Sequence, residues 1–381
     1  MGRVFFVFFT CIVAVLAAKA ETDSLLLVAT DIEYEYPDSA ITIANSRLHS
    51  GELSDRSRSS AFEIIGIARW VKEEYGEAIT AHSKALAIRK SINYPKGIGH
   101  SYNNLGLNYQ ELGDPKLAMQ NFLNAQTVGE TIQDSSLVAN VLGNIGTLYQ
   151  EQGDTEKALE YYGRSLSILE SADNLRVLGN TLNNIAIVYN DLGQIEKARI
   201  FTQRSLAIRK SIDDTYGIAQ SLNFLGLLES REGNLKTRDS LFRASLSVYQ
   251  GLENHWGQSM VYGNLGSDAN AIGDYKKGLE YCALSLSIAK AHWLEWEASA
   301  CGCLAESYAG LEKTQESSFY WKRLVAIKDS IRKENSLSEI SLIQKRFEFE
   351  KEQLKAQHEI QLLTTEAELA DLKLRKRETY L

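Results

Sequence analysis

Proline is scarce in this sequence, since the 381 residues include only three. Because proline interrupts helices, its scarcity favours long, unbroken helical segments. A surplus of basic charge is also missing: 41 Lys and Arg residues stand against 49 Asp and Glu residues, which gives a net charge of −8. A general nucleic-acid binder needs a basic surface that displaces counterions, so the composition argues against nucleic acid as a partner. The apolar fraction of 44% excludes a disordered chain, and we predict an all-α protein.

Long apolar runs are missing except near the N-terminus, where one extends from Val4 to Ala18 behind a basic residue. The small-x-small sequence Ala18-Lys19-Ala20 follows and completes the pattern of a secretory signal peptide. We therefore predict a cleaved signal peptide over residues 1–20 and an exported, periplasmic protein. The alternative is a membrane anchor formed by an uncleaved N-terminus, although a run of about 15 residues is shorter than the roughly 20 that span a bilayer.

Cysteine is limited to four residues, of which Cys11 lies in the predicted signal peptide. The other three, Cys282, Cys301 and Cys303, cannot all pair within one molecule. On a helix, two residues that are two apart point to different faces. We therefore expect buried thiols and no disulfide framework. A metal site is not predicted either: His292 lies in the same region, but the Cys-x-x-Cys spacing typical of zinc ligands is missing.

Sequence motifs for catalysis or cofactor binding are missing as well. No P-loop, dinucleotide fingerprint, His-Glu-x-x-His or Gly-x-Ser-x-Gly pattern occurs. We predict a protein that is not an enzyme and that has no cofactor. Tryptophan gathers late in the chain, where such side chains pack in a core or, if exposed, form binding hot spots. The tryptophans concerned are Trp256, Trp293, Trp296 and Trp321.

An internal repeat is the strongest feature that is present. Seven blocks of forty residues align without a gap, and both halves of each block carry apolar residues at helical spacing. Each block is therefore predicted to be a helix–turn–helix unit, which cannot bury its apolar faces alone and needs stacking to form a core. The blocks begin at Ala61, Ser101, Val141, Thr181, Ser221, Val261 and Cys301.

Two positions of the blocks are rich in glycine. A glycine at the sixth position is expected to let a second backbone come close, and a glycine at the thirteenth suits the left-handed residue that ends a helix. The residue after the thirteenth position is Asp or Asn in four blocks, a natural N-cap for the second helix. The sixth-position glycines are Gly66, Gly106, Gly146, Gly226 and Gly266, the thirteenth-position glycines are Gly113, Gly153, Gly193, Gly233 and Gly273, and the predicted caps are Asp114, Asp154, Asn234 and Asp274.

The blocks resemble the tetratricopeptide repeat (TPR) family, in a variant whose period is forty instead of the common thirty-four residues. The resemblance is carried by Asn-Asn-Leu-Gly-Leu-Asn-Tyr-Gln-Glu-Leu-Gly-Asp at 103–114 and by the segment from Leu-Gly-Asn-Ile-Gly to Leu-Glu-Tyr-Tyr at 142–162. It covers residues 58–330 and implies a right-handed superhelical solenoid of about seven repeats. Residues 21–57 look like a degenerate N-terminal repeat or cap. The chain departs from the family pattern throughout block seven and at Arg69, Glu73, Glu229 and Arg238.

The repeat pattern stops near residue 331, and residues 331–381 have the composition of a long charged helix. Ile340, Phe347 and Leu354 recur every seven residues, after which the phase slips, so the heptad pattern of a coiled coil is imperfect. One interpretation is a homodimer or a partner helix at this segment, and the other is a single helix that folds back on the solenoid. The order of signal peptide, repeats and charged helix resembles the extracytoplasmic repeat region of bacterial sensor kinases and regulators, which implies a membrane-proximal location.

Asparagine recurs at the third and fourth positions of the blocks, and the resemblance places these positions in the concave groove of the solenoid. An asparagine amide offers one acceptor and two donors to a peptide backbone. The alternative is that these asparagines cross-link neighbouring helices. Polar residues at the tenth and eleventh positions extend the row. The predicted groove residues are Asn103, Asn104, Asn144, Asn183, Asn184, Asn223, Asn264, Gln110, Gln150, Asn190, Glu111, Glu151 and Asp191.

These features together predict a non-catalytic scaffold that binds a protein or peptide segment in the concave groove. The carboxylates Glu111, Glu151 and Asp191 favour a basic or neutral ligand, and no Lys or Arg recurs at the groove positions to hold a terminal carboxylate. The alternative function is a signal-input module that acts with a membrane histidine kinase or a transcriptional regulator.

Overall fold

The computed structural model describes residues 23–33, 36–51, 53–171, 174–289 and 294–331. The chain divides into two compact units, Met1–Ile331 and Arg332–Leu381, and all described residues belong to the first. The predicted signal peptide and all but the first residue of the predicted C-terminal helix lie outside the described residues. None of the described helices is both long and apolar enough to cross a membrane.

Paired helices of nearly constant length follow one another, and no strand occurs in the described part of the chain. Two helices, α1 (Ser24–Ile32) and α2 (Pro37–Ser50), precede seven repeats of two helices each. The first helices of repeats 1 to 7 are α3 (Asp55–Val71), α5 (Pro95–Glu111), α7 (Ser135–Glu151), α9 (Leu175–Asp191), α11 (Thr215–Arg231), α13 (His255–Ala271) and α15 (Leu294–Gly310). The second helices are α4 (Tyr75–Ser91), α6 (Pro115–Thr131), α8 (Thr155–Leu169), α10 (Ile195–Ser211), α12 (Leu235–Gly251), α14 (Tyr275–Ala289) and α16 (residues 314–331).

The turn inside each repeat closes around a left-handed residue. Gly153 has a φ of +78°, and its N–H donates to the Gln150 carbonyl at 3.0 Å. The next N–H, that of Asp154, donates to the Tyr149 carbonyl at 2.9 Å, which completes a Schellman motif. The predicted role of the thirteenth-position glycines is therefore confirmed. The glycines with positive φ at this position are Gly113, Gly153, Gly193, Gly233 and Gly273.

Side chains cap three of the four second helices for which a cap was predicted. Asp114 and Asp154 each accept from the N–H three residues on, at 3.0 and 3.1 Å, and Asp274 does so at 3.3 Å. The prediction is wrong for Asn234, whose amide donates to Glu229 at 2.8 Å because this nearby carboxylate competes for it. Each of the three prolines is the first residue of a helix, where a missing N–H costs nothing. They are Pro37, Pro95 and Pro115.

The sixth-position glycines make room for a side chain of the second helix, and the predicted close backbone is seen at Gly266, where an added Cβ atom would lie 3.0 Å from the Cys282 backbone nitrogen. A Cβ atom on Gly146 would lie 2.7 Å from the ring of Tyr162, and one on Gly106 would overlap the ring of Phe122. Where the sixth position carries Ala186, the matching residue of the second helix is the small Thr202. The two positions therefore share one volume, which is filled either by a ring or by a methyl group.

Repeat 7 is one residue out of register with the other repeats. Its first helix ends at Gly310 and its left-handed residue is Glu312, thirty-nine residues after Gly273. The ungapped alignment of block seven is therefore wrong by one residue, and the deletion falls between α14 and α15. In the corrected register the fifth position is the buried Leu304 and the ninth is Tyr308, as the repeat pattern requires.

Charged side chains form ion pairs where the chain departs from the family pattern. In repeat 3 the ninth-position Tyr149 stacks on Tyr161, with ring centroids 5.3 Å apart. In repeat 5 the same position is Glu229, which pairs with Arg199 of the preceding repeat. The charged residue therefore makes its contact across the repeat boundary, whereas Tyr149 stacks within its own repeat. The other ion pairs at departures from the pattern are Arg69–Glu74 and Arg238–Asp268.

A disulfide joins Cys282 of α14 to Cys303 of α15, whose Cα atoms are 5.8 Å apart. The expectation of three unpaired thiols is therefore wrong. The cysteines are 21 residues apart in the chain, and only the packing of the two helices brings them within disulfide reach. Cys301 is free and buried, and burial raises the pKa of its thiol.

Helices α1 and α2 share an apolar core with repeat 1. Leu26 and Ala29 of α1 and Ile41 and Ala44 of α2 belong to the same cluster of buried side chains as Ile64 of α3. The degenerate repeat or cap predicted for residues 21–57 stays a hypothesis, and these contacts are compatible with it.

Candidate functional site

The first helices lie closer together than the second helices do. From α5 to α15, each first helix contacts the next first helix, whereas among α4, α6, α8, α10, α12 and α14 no second helix makes comparable contacts with another. A curved stack brings its elements closest on the inner side of the curve. We therefore call the partly exposed surface of the first helices the inner face, and the predicted asparagines lie on these helices.

Four of the predicted asparagines form two bridges between repeats. The Asn144 amide nitrogen donates to Asn103 Oδ1 at 2.8 Å, and that of Asn264 donates to Asn223 Oδ1 at 3.1 Å. In both bridges the third-position residue is buried and the fourth-position residue is half-buried at the inner face. The cross-linking alternative from the sequence therefore describes these contacts, and it leaves the outer asparagine of each bridge accessible.

The remaining predicted asparagines stand without such a partner. Asn104, Asn183 and Asn184 are half-buried, and none donates or accepts through its side chain to another described residue. The bridges are interrupted because Gly143 stands where Asn184 would find its acceptor, and Phe224 stands where Asn183 would find its donor. The asparagines therefore form two separate groups along the inner face.

Polar side chains at the tenth and eleventh positions also link neighbouring residues. Gln110 donates to Glu151 of the next repeat at 2.7 Å, and Gln150 accepts from the hydroxyl of Tyr162 at 2.9 Å. Partial burial raises the pKa of Glu151, and the bond from Gln110 opposes that shift. One further contact completes this set. Asn190, which is buried, donates to the exposed Asp191 at 3.3 Å.

Sequence reasoning missed a buried arginine that reaches the inner face from behind. Arg209 of α10 is only 2% exposed, and one guanidinium nitrogen donates to Asn180 Oδ1 at 3.0 Å and to Gln220 Oε1 at 3.3 Å. Asn180 of α9 is exposed and Gln220 of α11 is half-buried. A signal did exist, because Leu-Ala-Ile-Arg-Lys-Ser-Ile occurs identically at 86–92 and 206–212.

Two of the tryptophans are half-buried against each other and a third is exposed. Trp256 and Trp296 meet edge to face with ring centroids 5.3 Å apart, and Tyr216 adjoins Trp256 at 6.5 Å. Trp321 on α16 is 45% exposed. Trp293 lies outside the described residues. Among the described residues, no group of three or more His, Cys, Asp and Glu side chains is arranged to hold a metal ion.

Two sequence-family models described as tetratricopeptide repeat match this chain, at residues 98–171 and 178–212. No curated protein matches the sequence. Solved structures do match. The apo form of the quorum sensor NprR from B. thuringiensis shares 18% identity with a TM-score of 0.61 over 80% of this chain and 86% of that chain.

A Rap protein complexed with competence and sporulation factor shares 13% identity with a TM-score of 0.62, over 80% of this chain and 84% of that chain. NprR in complex with its cognate peptide NprX shares 17% identity with a TM-score of 0.59, over 80% and 86% of the two chains. At these identities the likeness concerns the fold. The repeated helix pairs, the Schellman turns and the matching family models agree with one another, and residues 98–171 and 178–212 carry tetratricopeptide repeats.

Proposed function

We propose that this chain is a non-catalytic scaffold that binds an extended protein or peptide segment along its inner face. The observation that carries the proposal is the pair of asparagine bridges, Asn103–Asn144 and Asn223–Asn264. Each bridge fixes the orientation of an accessible amide between two neighbouring repeats. Groups that are already ordered lose little conformational entropy when a ligand binds.

Each bridge leaves hydrogen-bonding capacity for a ligand. Asn144 uses one N–H in its bridge and keeps a second N–H and its carbonyl oxygen, and Asn264 does the same. A peptide in extended conformation presents N–H and C=O groups that such an amide can pair with simultaneously. Asn104 and Asn184, which are half-buried and unbridged, would add two amides to the same row.

The charge of the inner face indicates which charge a ligand segment can carry. Glu111, Glu151 and Asp191 are exposed at the same position of three successive repeats. The spacing of one repeat between carboxylates suits a ligand segment that is basic or neutral along this edge.

Similar folds support a peptide ligand by analogy. The Rap protein and NprR named above were solved with a signalling factor and with a cognate peptide, respectively. A third similar structure is the Rap conjugation gene regulator of the plasmid pLS20 in complex with the Phr* peptide, at 13% identity and a TM-score of 0.59, over 73% of this chain and 75% of that chain. Because a fold does not define a function, the inner-face amides carry the proposal and the neighbours add to it.

A crosslinking pull-down from the native cell envelope tests the proposal. The protein is compared with an Asn104→Ala, Asn144→Ala, Asn184→Ala, Asn264→Ala variant whose fold is verified by circular dichroism. A matched control carries Asn124→Ala and Gln203→Ala, which are exposed polar residues of the second helices. We expect partners that the protein and the control capture and that the inner-face variant loses. Equal capture by all three proteins would refute an inner-face site.

We also propose that residues 1–20 direct export to the periplasm. Mass spectrometry of the protein from its native cell should show a mature N-terminus at Glu21. A chain that begins at Met1 would contradict cleavage and would favour the anchored alternative.

A further inference from the structure

Arg209 is a buried cation at the back of the inner face. One terminal nitrogen donates to the Gly217 carbonyl at 2.9 Å and to the Ser221 hydroxyl at 2.8 Å. The other donates to the amide oxygens of Asn180 and Gln220. All four acceptors are neutral, so no hydrogen bond of this guanidinium goes to a carboxylate. Burying a charge without a hydrogen-bonded counter-charge is unfavourable.

A second arginine occupies the same repeat position with a different partner. Arg89 of α4, which is 3% exposed, donates to the Gly97 carbonyl at 3.1 Å and to the Ser101 hydroxyl at 2.8 Å, as Arg209 does to Gly217 and Ser221. Its guanidinium also binds both carboxylate oxygens of one acid, at 3.1 and 2.5 Å. That acid is Glu63 of α3.

The residue that matches Glu63 in repeat 4 is Asn183, so Arg209 lacks this carboxylate. The nearest acid is Asp214, whose Oδ2 lies 3.9 Å from Arg209 Nε. Its other oxygen caps α11 through the Gly217 N–H at 3.1 Å. Arg209 Nε is buried and makes no hydrogen bond.

The surroundings of Arg209 carry a further positive charge and open to the inner face. Arg176 is 71% exposed on α9, one helical turn before Asn180, and its guanidinium lies 3.9 Å from the second oxygen of Asp214. Two guanidinium groups therefore share one carboxylate. Asn180 and Gln220, the two amides that cover Arg209, are the side chains that a ligand would have to move.

We infer that Arg209, Asn180 and Gln220 form a subsite for one carboxylate of the bound segment. This inference rests on the proposed peptide-binding function. A ligand carboxylate would take the place that Glu63 fills at Arg89, while the two amides turn to donate to it. First-helix positions could not reveal this subsite, because the cation comes from the second helix.

The test follows the Nε–H resonance of Arg209 in the protein labelled with ¹⁵N-arginine, assigned with an Arg209→Lys variant. The probe is N-acetylglycine at constant ionic strength, and N-acetylglycinamide is its uncharged counterpart. We expect a saturable shift with the acid and none with the amide. Asn180→Asp supplies the carboxylate within the chain and should weaken the affinity roughly tenfold or more.

Two further variants complete the design. Asn140→Asp makes the same change at the matching position of α7, where the second-helix residue is Leu169 instead of an arginine, and should leave the affinity unchanged. Glu63→Gln should create a new saturable shift at Arg89.

The inference is overturned if the unaltered protein shows no saturable shift, if Asn140→Asp weakens binding as much as Asn180→Asp does, or if Arg89 stays silent in Glu63→Gln. If the titrations fail but the pull-down succeeds, the carboxylate subsite is refuted and the proposed inner-face binding stands. Loss of inner-face capture, in contrast, would refute the proposed function itself.

Discussion

Repeats 1 and 4 bury the same arginine in two electrostatic settings. Arg89 and Arg209 lie at the same position of their second helices and make the same bonds to a glycine carbonyl and a serine hydroxyl of the next repeat. In repeat 1 the guanidinium also binds the carboxylate of Glu63, and in repeat 4 its second terminal nitrogen donates to two amides. The same backbone arrangement therefore holds an arginine that a carboxylate neutralises in repeat 1 and one without that carboxylate in repeat 4. The difference is Glu63 in α3 against Asn183 in α9.

The comparison extends beyond the two arginines. The positions of Ser101, Asn103, Gly143 and Asn144 carry the same residue types 120 residues later. The bridge Asn103–Asn144 accordingly has its counterpart in Asn223–Asn264. A unit of three repeats thus occurs twice. The two copies differ around Arg89 and Arg209, at the proposed carboxylate subsite. The counterparts are Ser221, Asn223, Gly263 and Asn264.

The largest expected effect comes from removing Arg89, and removal of Arg209 is its comparison. Arg89→Leu should lower the free energy of unfolding by about 3 kcal/mol, because it leaves Glu63 without its partner. Arg209→Leu should change it by less than about 1 kcal/mol, because no hydrogen-bonded carboxylate loses its partner. Leucine already occupies this position as Leu169. Equilibrium urea unfolding followed by circular dichroism measures both, and equal losses would show that the two settings are energetically alike.

A smaller effect is expected at the shared volume of the sixth position. A Cβ atom on Gly66 would lie 2.5 Å from the ring of His82, so Gly66→Ala should cost about 2 kcal/mol. Repeat 4 fills the same volume with Ala186 and Thr202. In a His82→Thr background, Gly66→Ala should therefore cost less than about 0.5 kcal/mol. A double-mutant cycle in urea measures the coupling, and additive costs would disprove the shared volume.

The acid that neutralises Arg89 also affects a second carboxyl in its neighbourhood. Burial, together with the charge of Glu63, raises the pKa of Glu33 from 4.5 to about 8. The folded state then holds a proton that the unfolded state has lost, so stability falls as the pH rises from about 4.5 to about 8. The slope is at most about 1.4 kcal/mol per pH unit. Repeat 4, with Asn183 in place of Glu63, has no matching acid.

Glu33→Gln should remove this slope, and urea unfolding between pH 6.5 and 8 measures it. His82 does not interfere in that range. Its burial lowers the pKa from 6.5 to about 4, so its effect is a loss of stability as the pH falls below 6.5. A slope that persists in Glu33→Gln would assign the pH dependence to another group.

The smallest effect is expected at the turns of the same two repeats. Glu73 of repeat 1 adopts a φ of +60° where repeat 4 has Gly193 at +71°. Glu73→Gly should stabilise the protein by about 1 kcal/mol, and Gly193→Ala should destabilise it by a similar amount. Thermal unfolding monitored by circular dichroism compares the two. Shifts of the same sign would contradict the conformational explanation.

Most of the fold could be predicted from sequence because its determinants are local. The forty-residue period, the glycine turns and the caps at Asp114 and Asp154 depend on residues close together in the chain. Some predictions that proved wrong involve partners on other helices, and one involves the register of a whole repeat. The Asn234 amide donates to Glu229 instead of capping α12. In repeat 7 the repeat pattern is weak, so the sequence did not reveal the one-residue deletion that shifts its register.

The candidate site could be predicted only as a set of positions. Helical spacing placed the asparagines on one face, but their partners lie 41 residues away, in the next repeat. The arginine of the carboxylate subsite lies 29 residues from Asn180 and belongs to a second helix, so no pattern within the first helices includes it.

The sequence by itself determined the helix pairs, their turns and the face on which amides recur, since backbone preferences and helical periodicity act between neighbouring residues. The tertiary structure alone decided that Asn144 bonds to Asn103, that Cys282 pairs with Cys303 and that Arg209 lacks the acid that Arg89 has. These outcomes depend on the distance between atoms of different helices. The stacking of the repeats sets that distance, and no local pattern encodes it.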